Sequence, residues 1–128
     1  MSDALKHSRV WRMLGWCWVA CVFIGSLVPA GTPGLGLIND KLEHGGGYAL
    51  LTIWFIGAYP QQRHWVIAAS FIAMGVIIEL LQGWMKWGRE CDIHDVFANT
   101  TGIIIGLLLS RFWLRNWTAR AEAWMAAR

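Results

Sequence analysis

Four long apolar runs constrain the fold of this chain more than any other feature of its sequence. They cover about residues 11–28, 41–59, 65–84 and 94–112. A helix needs about 20 mostly apolar residues to cross a bilayer core. The chain is 56% hydrophobic and 15% charged, whereas soluble domains average about 45–50% apolar and about 25% charged residues. We therefore predict one all-α integral membrane domain over residues 1–128, built as a four-helix bundle with a core at about 10–112.

Residues that disfavour helices separate these runs. We predict a loop over residues 30–39, a tight hairpin over 60–63 and a short polar loop over 83–93. The first run follows a basic segment, as in a signal peptide. Its length of about nineteen residues and its tryptophans favour a retained transmembrane helix instead.

The positive charges predict the topology of the helices. Eight of the 11 Lys and Arg residues lie in the N-terminal segment, the 60–63 hairpin or the segment after residue 110. Cytoplasmic loops carry an excess of Lys and Arg, so we place both termini in the cytoplasm. The net charge of +3 is explained by this topology, and we predict no binding to nucleic acid.

The tail over residues 113–128 combines tryptophans with arginines. Trp113, Trp117 and Trp124 fall near one face of a helix. This pattern predicts an amphipathic helix that lies in the inner interface of the membrane. The alternative is a frayed tail.

Polar residues interrupt three of the apolar runs at one depth. Measured at about 1.5 Å per residue, His44, Glu79 and Asp95 lie about 21–24 Å from the inner ends of their helices. Ionised groups in a membrane are costly unless they face one another or water. We predict an outward-facing binding pocket; a network that only holds the helices together is the alternative. The predicted pocket consists of eight residues: Lys41, His44, Tyr48, Glu79, Gln82, Arg89, Asp95 and Asn99.

These side chains suggest both ion pairs and ligand contacts. We expect Glu79 to pair with Lys41 or Arg89, and Asp95 to pair with His44 or Arg89. Lys41 and Arg89 are suited to hold phosphate or carboxylate, because Arg presents a bidentate fork. The remaining polar residues of the set, Tyr48, Gln82 and Asn99, would donate or accept hydrogen bonds.

Three residues are candidates for catalysis. His44, Glu79 and Asp95 have the groups that general acid–base chemistry requires. The same three, with His94 as a fourth ligand, would form a metal site. No H-E-x-x-H motif is present, and nearby basic residues oppose a cation, so we predict no metal and no cofactor. A proton or ion pathway is disfavoured because the inner halves of the helices lack ionisable groups.

Glycines mark places where helices come close together. Gly102 and Gly106 form a small-x-x-x-small pattern, which lets a neighbouring helix approach. A run of three glycines, residues 45–47, stands inside the second apolar run. It removes side chains where another helix or a ligand can approach.

The ordered polar residues resemble one family. The segments Asp40-Lys41-x-x-His44-x-x-x-Tyr48, Glu79-x-x-Gln82, Arg89 and Asp95-x-x-x-Asn99-x-x-Gly102 are similar to those of the VanZ-like family of small bacterial membrane proteins. The resemblance covers about residues 10–112. It implies a multi-pass protein of the bacterial inner membrane, and the family's named member is associated with low-level teicoplanin resistance.

The resemblance also implies what the protein contacts. Membrane lipids are the expected partners, together with a lipid-linked cell-wall precursor or a glycopeptide. One hypothesis is a protein that binds or modulates such a headgroup in the cell envelope. The other is a membrane-embedded enzyme that uses acid–base chemistry on a lipid-linked substrate.

Overall fold

The described part of the chain is all-helical. The structure is a computed structural model, and it describes residues 5–29 and 40–128. Its helices are α1 Ser8–Leu27, α2 Asp40–Ala58, α3 His64–Met85, α4 Ile93–Phe112 and α5 Trp117–Ala126, with a 3₁₀ turn over Gln61–Arg63. The all-α prediction is confirmed, and the four long helices begin and end within about one turn of the predicted bounds. The predicted loop over residues 30–39 lies outside the described residues.

Within the described residues, three segments are long and apolar enough to cross a membrane. They are Ser8–Leu27, Gln61–Met85 and Ile93–Phe112. Helix α2 is not among them, because its first two turns hold Lys41, Glu43, His44 and three glycines. The fourth crossing predicted from the sequence is therefore not established by length and composition.

Helix α2 lies at the centre of the molecule. It packs against α1, α3, α4 and α5. Leu51 and Thr52 are completely buried, and the aromatic ring of Phe55 is nearly so. The core around them includes Phe71 of α3 and Ile103 of α4. A helix surrounded by protein presents few side chains to lipid, so it needs a less apolar sequence than a helix at the periphery.

Glycines bring α2 and α4 into close contact. A Cβ atom on Gly102 would lie 3.0 Å from Gly45 Cα, and one on Gly106 would lie 2.7 Å from the Ala49 carbonyl oxygen. Real Cβ atoms do not approach backbone this closely, so both positions in α4 require glycine. Gly46 differs, since a Cβ there would meet nothing within 4 Å. Of the three consecutive glycines, Gly45 is the one at the α2–α4 contact.

The helices run up and down, so chain segments collect at two ends. At one end, Arg12 of α1 donates to the Ala58 carbonyl of α2 over 3.2 Å. At the other end, Gln82 of α3 donates to the Ser26 carbonyl of α1 over 2.7 Å. The start of α1 and the 60–63 turn therefore share one end, and the 86–92 loop lies at the opposite end.

The C-terminal helix α5 docks on α2 near the start of α1. Trp117 donates to the Ile53 carbonyl over 3.0 Å, and the Thr118 hydroxyl donates to the Gly57 carbonyl over 2.7 Å. The Trp117 ring also contacts the rings of Trp11 and Trp54. These contacts hold the first turn of α5 against the bundle.

The prediction that the tryptophans of the tail share one helix face is wrong in one respect. Trp113 precedes α5 and is 80% exposed, whereas Trp117 begins the helix and packs inward. A turn through Asn116, which has a positive φ of 55°, separates α4 from α5. The tail is consequently shorter as a helix than the sequence pattern suggested.

Candidate functional site

Six polar side chains from three helices meet at the end of the bundle that holds the 86–92 loop. We call them the polar cluster: Lys41, His44 and Tyr48 of α2, Glu79 of α3, and Asp95 and Asn99 of α4. Their spacing of three, four or seven residues puts each set on one helix face. Glu79 is 1% exposed and Asn99 2%, so these members of the cluster lie inside the protein, whereas the Lys41 side chain is exposed.

The His44 ring connects two residues of α4. Its Nδ1 lies 3.1 Å from Asn99 Oδ1, and its Nε2 lies 3.6 Å from Asp95 Oδ2. Because Asn99 Oδ1 can only accept, His44 Nδ1 is the donor in the first contact. The other ring nitrogen consequently faces the Asp95 carboxylate.

Glu79 has one oxygen bound and one without a partner. Its Oε2 accepts a hydrogen bond from the Asp92 backbone amide over 3.0 Å. Within the described part of the chain, its Oε1 has no hydrogen-bond partner, and neither has the buried hydroxyl of Tyr48. Most buried polar groups in proteins are hydrogen-bonded, so these two atoms mark a place where the protein alone leaves bonding capacity unused.

Lys41 joins α2 to the start of α4. Its ammonium group lies 2.8 Å from Asp92 Oδ2 and also contacts Asp95 Oδ1. Asp92 is the N-cap of α4 and accepts from the His94 amide over 2.8 Å. The hydrogen bonds from Lys41 and His94 hold the pKa of the Asp92 carboxyl well below its usual value.

Asp92 is a residue of this region that the helical spacing of the polar residues did not predict. A signal for it exists, because Asp directly before an apolar helical run is a preferred N-cap. That signal would have placed Asp92 at the start of α4. It would not have shown that the same residue also contacts Lys41 and Glu79.

Arg89 and Gln82 lie beside the polar cluster and bind a different helix. The Arg89 Nε donates to the Val28 carbonyl over 3.1 Å. Among the described residues, neither Lys41 nor Arg89 forms an ion pair with Glu79, and Arg89 forms none with Asp95. The predicted Asp95–His44 contact is present.

The path of the loop after α3 explains the position of Arg89. Lys86 and Gly88 have positive φ angles of 54° and 74°, and they turn the chain away from α4. Arg89 then reaches the end of α1, where the last carbonyls of a helix have no intrahelical donor.

A cleft opens between the polar cluster and this loop. Its volume is about 490 Å³. Seven residues line it: Gln82, Gly88, Arg89, Glu90, Cys91, Asp92 and Asp95. Asp95 belongs to both the cleft and the polar cluster, so a ligand in the cleft would reach the cluster through its carboxylate.

Three members of the polar cluster could hold a metal ion. They are His44, Glu79 and Asp95. Each offers one ligand atom, and these three atoms lie within 4.8 Å of one another. His94, the fourth ligand considered from the sequence, instead binds Asp92 through its Nδ1 and is exposed. Imidazole and carboxylate groups in this arrangement could equally exchange protons with a bound ligand.

Comparison with known proteins identifies the family. The family model named VanZ/LLP1 matches residues 10–114. The match includes the four long helices almost entirely and every residue of the polar cluster. No curated protein and no solved structure matches the chain. Because the family model covers most of the sequence, the chain belongs to the VanZ/LLP1 family.

Proposed function

We propose that the protein binds the anionic headgroup of a lipid-linked component of the bacterial cell envelope in its outward-facing cleft. The observation that carries this proposal is the position of Arg89, which lines the cleft beside the polar cluster. Its Nε is anchored to the Val28 carbonyl. Among the described residues its guanidinium forms no ion pair with a carboxylate, so its remaining donors can bind a phosphate or carboxylate.

Because Glu90, Asp92 and Asp95 also line the cleft, the ion pairs beside it decide which basic residues we assign to the headgroup. Lys41 was expected to hold the anion together with Arg89, but its ammonium group is bound by Asp92 and Asp95. Those contacts offset its charge. Lys86 lines a neighbouring open cleft that also contains Arg89. We therefore assign the anionic group to Arg89 and Lys86, and the uncharged part of the headgroup to Gln82, which also lines the cleft.

We further propose that the chain crosses the bacterial inner membrane four times with both termini inside. Consecutive helices from α1 to α4 run antiparallel, which supports the four crossings. The distribution of Lys and Arg favours the end with the 60–63 turn as the cytoplasmic one. Helix α2 would cross within the bundle, shielded by its neighbours. In this orientation the cleft opens at the outer face.

Bound lipid provides a direct test. The full chain is purified in mild detergent, and co-purified lipids are extracted and analysed by mass spectrometry. We expect a lipid that carries a phosphate or carboxylate headgroup, and its amount should fall at least tenfold in Arg89→Gln. Arg63→Gln, a matched change in the exposed turn at the opposite end, should retain the lipid. Equal lipid content in all three proteins would contradict the proposal.

A second candidate function is catalysis on the same lipid. One observation favours it: a carboxylate oxygen of the buried Glu79 lies close to ligand atoms of His44 and Asp95, and among the described residues the Glu79 Oε1 has no partner. That arrangement suits a general acid or base. If the protein is an enzyme, His44→Gln should accumulate intact lipid where the wild type carries a cleaved product. A binding protein would carry the same lipid in both.

An effect on glycopeptide susceptibility is a consequence of the proposed binding. We expect expression of the wild type to raise the minimal inhibitory concentration of teicoplanin in a susceptible host, and Arg89→Gln to abolish that rise. An equal rise with both proteins would show that the effect does not depend on the cleft.

A further inference from the structure

We propose that His44, Glu79 and Asp95 form a binding site for a divalent transition-metal ion inside the polar cluster. This inference rests on side chains deeper than the cleft, and it does not require a lipid. It departs from the sequence-based expectation that basic residues nearby would exclude a cation.

The distances fit a small ion. Zinc binds histidine nitrogen and carboxylate oxygen at about 2.0–2.2 Å, so two ligands at tetrahedral angles lie about 3.4 Å apart. His44 Nε2 and Asp95 Oδ2 are already 3.6 Å apart. The ligand atom of Glu79 lies within 4.8 Å of the other two. Three protein ligands with an open fourth position are typical of catalytic zinc sites.

The unsatisfied oxygen of Glu79 is an independent indication of a ligand. Glu79 is 1% exposed, and its Oε1 has no hydrogen-bond partner. A buried carboxylate oxygen without a partner is destabilising, and a cation would satisfy it. Among the described residues, the Tyr48 hydroxyl is also buried without a partner.

Each proposed ligand is held by a contact on its far side. His44 Nδ1 donates to Asn99 Oδ1, which leaves Nε2 as the atom that faces the site. Glu79 Oε2 is fixed by the Asp92 amide, and Asp95 Oδ1 is bound by Lys41. Metal ligands in proteins are oriented by such outer contacts.

The local charge also favours a divalent cation. Three carboxylates, those of Glu79, Asp92 and Asp95, lie close together, and the Lys41 ammonium group binds two of them, Asp92 and Asp95; Glu79 is bound by the Asp92 backbone amide. With His44 neutral, this arrangement has a formal charge of about −2, which one divalent ion would neutralise. Arg89 is not counted in this sum, because it lines the cleft and, among the described residues, forms no ion pair with these carboxylates.

The mixed ligand set selects the kind of ion. Carboxylate oxygen alone suits magnesium and calcium, whereas imidazole suits zinc and its transition-metal neighbours. One nitrogen and two oxygens therefore favour Zn²⁺ or Mn²⁺ over Mg²⁺.

Metal titration of the purified full chain tests the proposal without any lipid. Delipidated protein in detergent is treated with EDTA, exchanged into chelator-free buffer and titrated with Zn²⁺ against a chromophoric chelator. We expect one Zn²⁺ per chain. Glu79→Gln, Asp95→Asn and His44→Gln should each raise the Kd at least tenfold, and Asn99→Ala should raise it about 10–100-fold as an outer contact.

Matched controls separate this site from surface binding. Glu122→Gln and His64→Gln change the same residue types at the opposite end of the molecule, and both should bind Zn²⁺ like the wild type. If Cys91→Ser abolishes binding while Glu79→Gln does not, Zn²⁺ binds at the exposed loop and the proposal is wrong. Absence of stoichiometric binding in the wild type would also overturn it.

Thermal unfolding provides a second measurement for variants that fold poorly. Zn²⁺ should raise the Tm of the wild type and of Glu122→Gln, because a ligand that binds only the folded state stabilises it. It should not raise the Tm of Glu79→Gln. Because no lipid is present, failure here leaves the lipid extraction result intact.

Discussion

Gly102 sets the distance between two helices by having no side chain. Its α-carbon faces the backbone of Gly45, so even one added methyl group would meet the Gly45 carbonyl carbon at 2.8 Å. Backbone atoms cannot move aside as the end of a flexible side chain can. The contact between α2 and α4, and with it the position of the polar cluster, depends on this pair of residues.

Gly102→Ala should therefore destabilise the protein although Ala is the better helix former. Helix propensity alone favours Ala by about 1 kcal/mol, but overpacking typically costs about 1–3 kcal/mol. Gly46→Ala is the matched control, since a Cβ there meets nothing within 4 Å, and it should be neutral or stabilising. Unfolding in detergent measures both. Equal effects of the two substitutions would show that α2 and α4 are not packed this closely.

The ion pair of Lys41 gives a second prediction at this scale. Lys41→Met and Asp95→Asn remove the two sides of one contact, so a double-mutant cycle on the free energy of unfolding should give a coupling of about 1 kcal/mol. Glu79→Gln and Arg89→Gln share no ion pair and should add without such coupling. Coupling between Glu79→Gln and Arg89→Gln, together with none between Lys41→Met and Asp95→Asn, would instead support the Glu79–Arg89 pair expected from the sequence.

Residues on helices were easier to place from the sequence than residues in loops. Helical spacing was enough to bring His44, Asp95 and Asn99 onto facing stripes, because the period of a helix is fixed. The partner of Arg89 depends on two positive φ angles in the preceding loop, and no periodicity reports those. Asp92 was missed for a related reason: its side chain and its backbone amide bind different helices.

At the scale of the elements, α5 is held by a carboxylate as well as by its first turn. Glu122 accepts hydrogen bonds from the Lys6 and His7 amides and from the Trp11 indole. Burial raises the pKa of the Glu122 carboxyl, but the hydrogen bonds from His7, Trp11 and Lys6 together lower it below its usual value. The tail is thus tied to the start of α1, where the sequence suggested only an interfacial helix.

This linkage predicts that acid releases the end of α5. A group with a lowered pKa in the folded state stabilises it above the usual carboxyl pKa of about 4.3, and this stability is lost as pH falls through the folded pKa. A spin label on Ala126→Cys, in a chain without its native cysteines, should gain mobility below about pH 4. With Glu122→Gln the label should be mobile at every pH. An immobile label from pH 6 to pH 3 would contradict the linkage.

At the scale of the whole molecule, the fold has two chemically different ends. The start of α1, the 60–63 turn and α5 gather tryptophans and arginines at one end, while buried acids and the cleft lie at the other. Apolar runs and breakers were sufficient to predict the helices. The same features could not predict that α2 is the central helix. A run that is apolar on most sides has no periodic pattern that would distinguish burial by neighbouring helices from exposure to lipid.

The proposed topology predicts which thiols react from outside the cell. Cys91 is exposed in the outer loop, so a membrane-impermeant maleimide should label it in intact cells after Cys17 and Cys21 are replaced by Ala. With Cys91 also replaced, a cysteine at Gln62, which is exposed in the turn at the other end, should react only after the membrane is permeabilised. Labelling of residue 62 in intact cells would reverse the orientation.

The central position of α2 has a consequence for how the protein is made. In a membrane, α2 would leave the ribosome before α4, which supplies much of its packing surface and covers Gly45 and Ala49. Until residues 93–112 are synthesised, the polar start of α2 would face lipid or the insertion machinery without Asp95 beside Lys41. We therefore expect α2 to integrate stably only after α4 has been synthesised. The ion pair between Lys41 and Asp95 would then form as the last step of insertion.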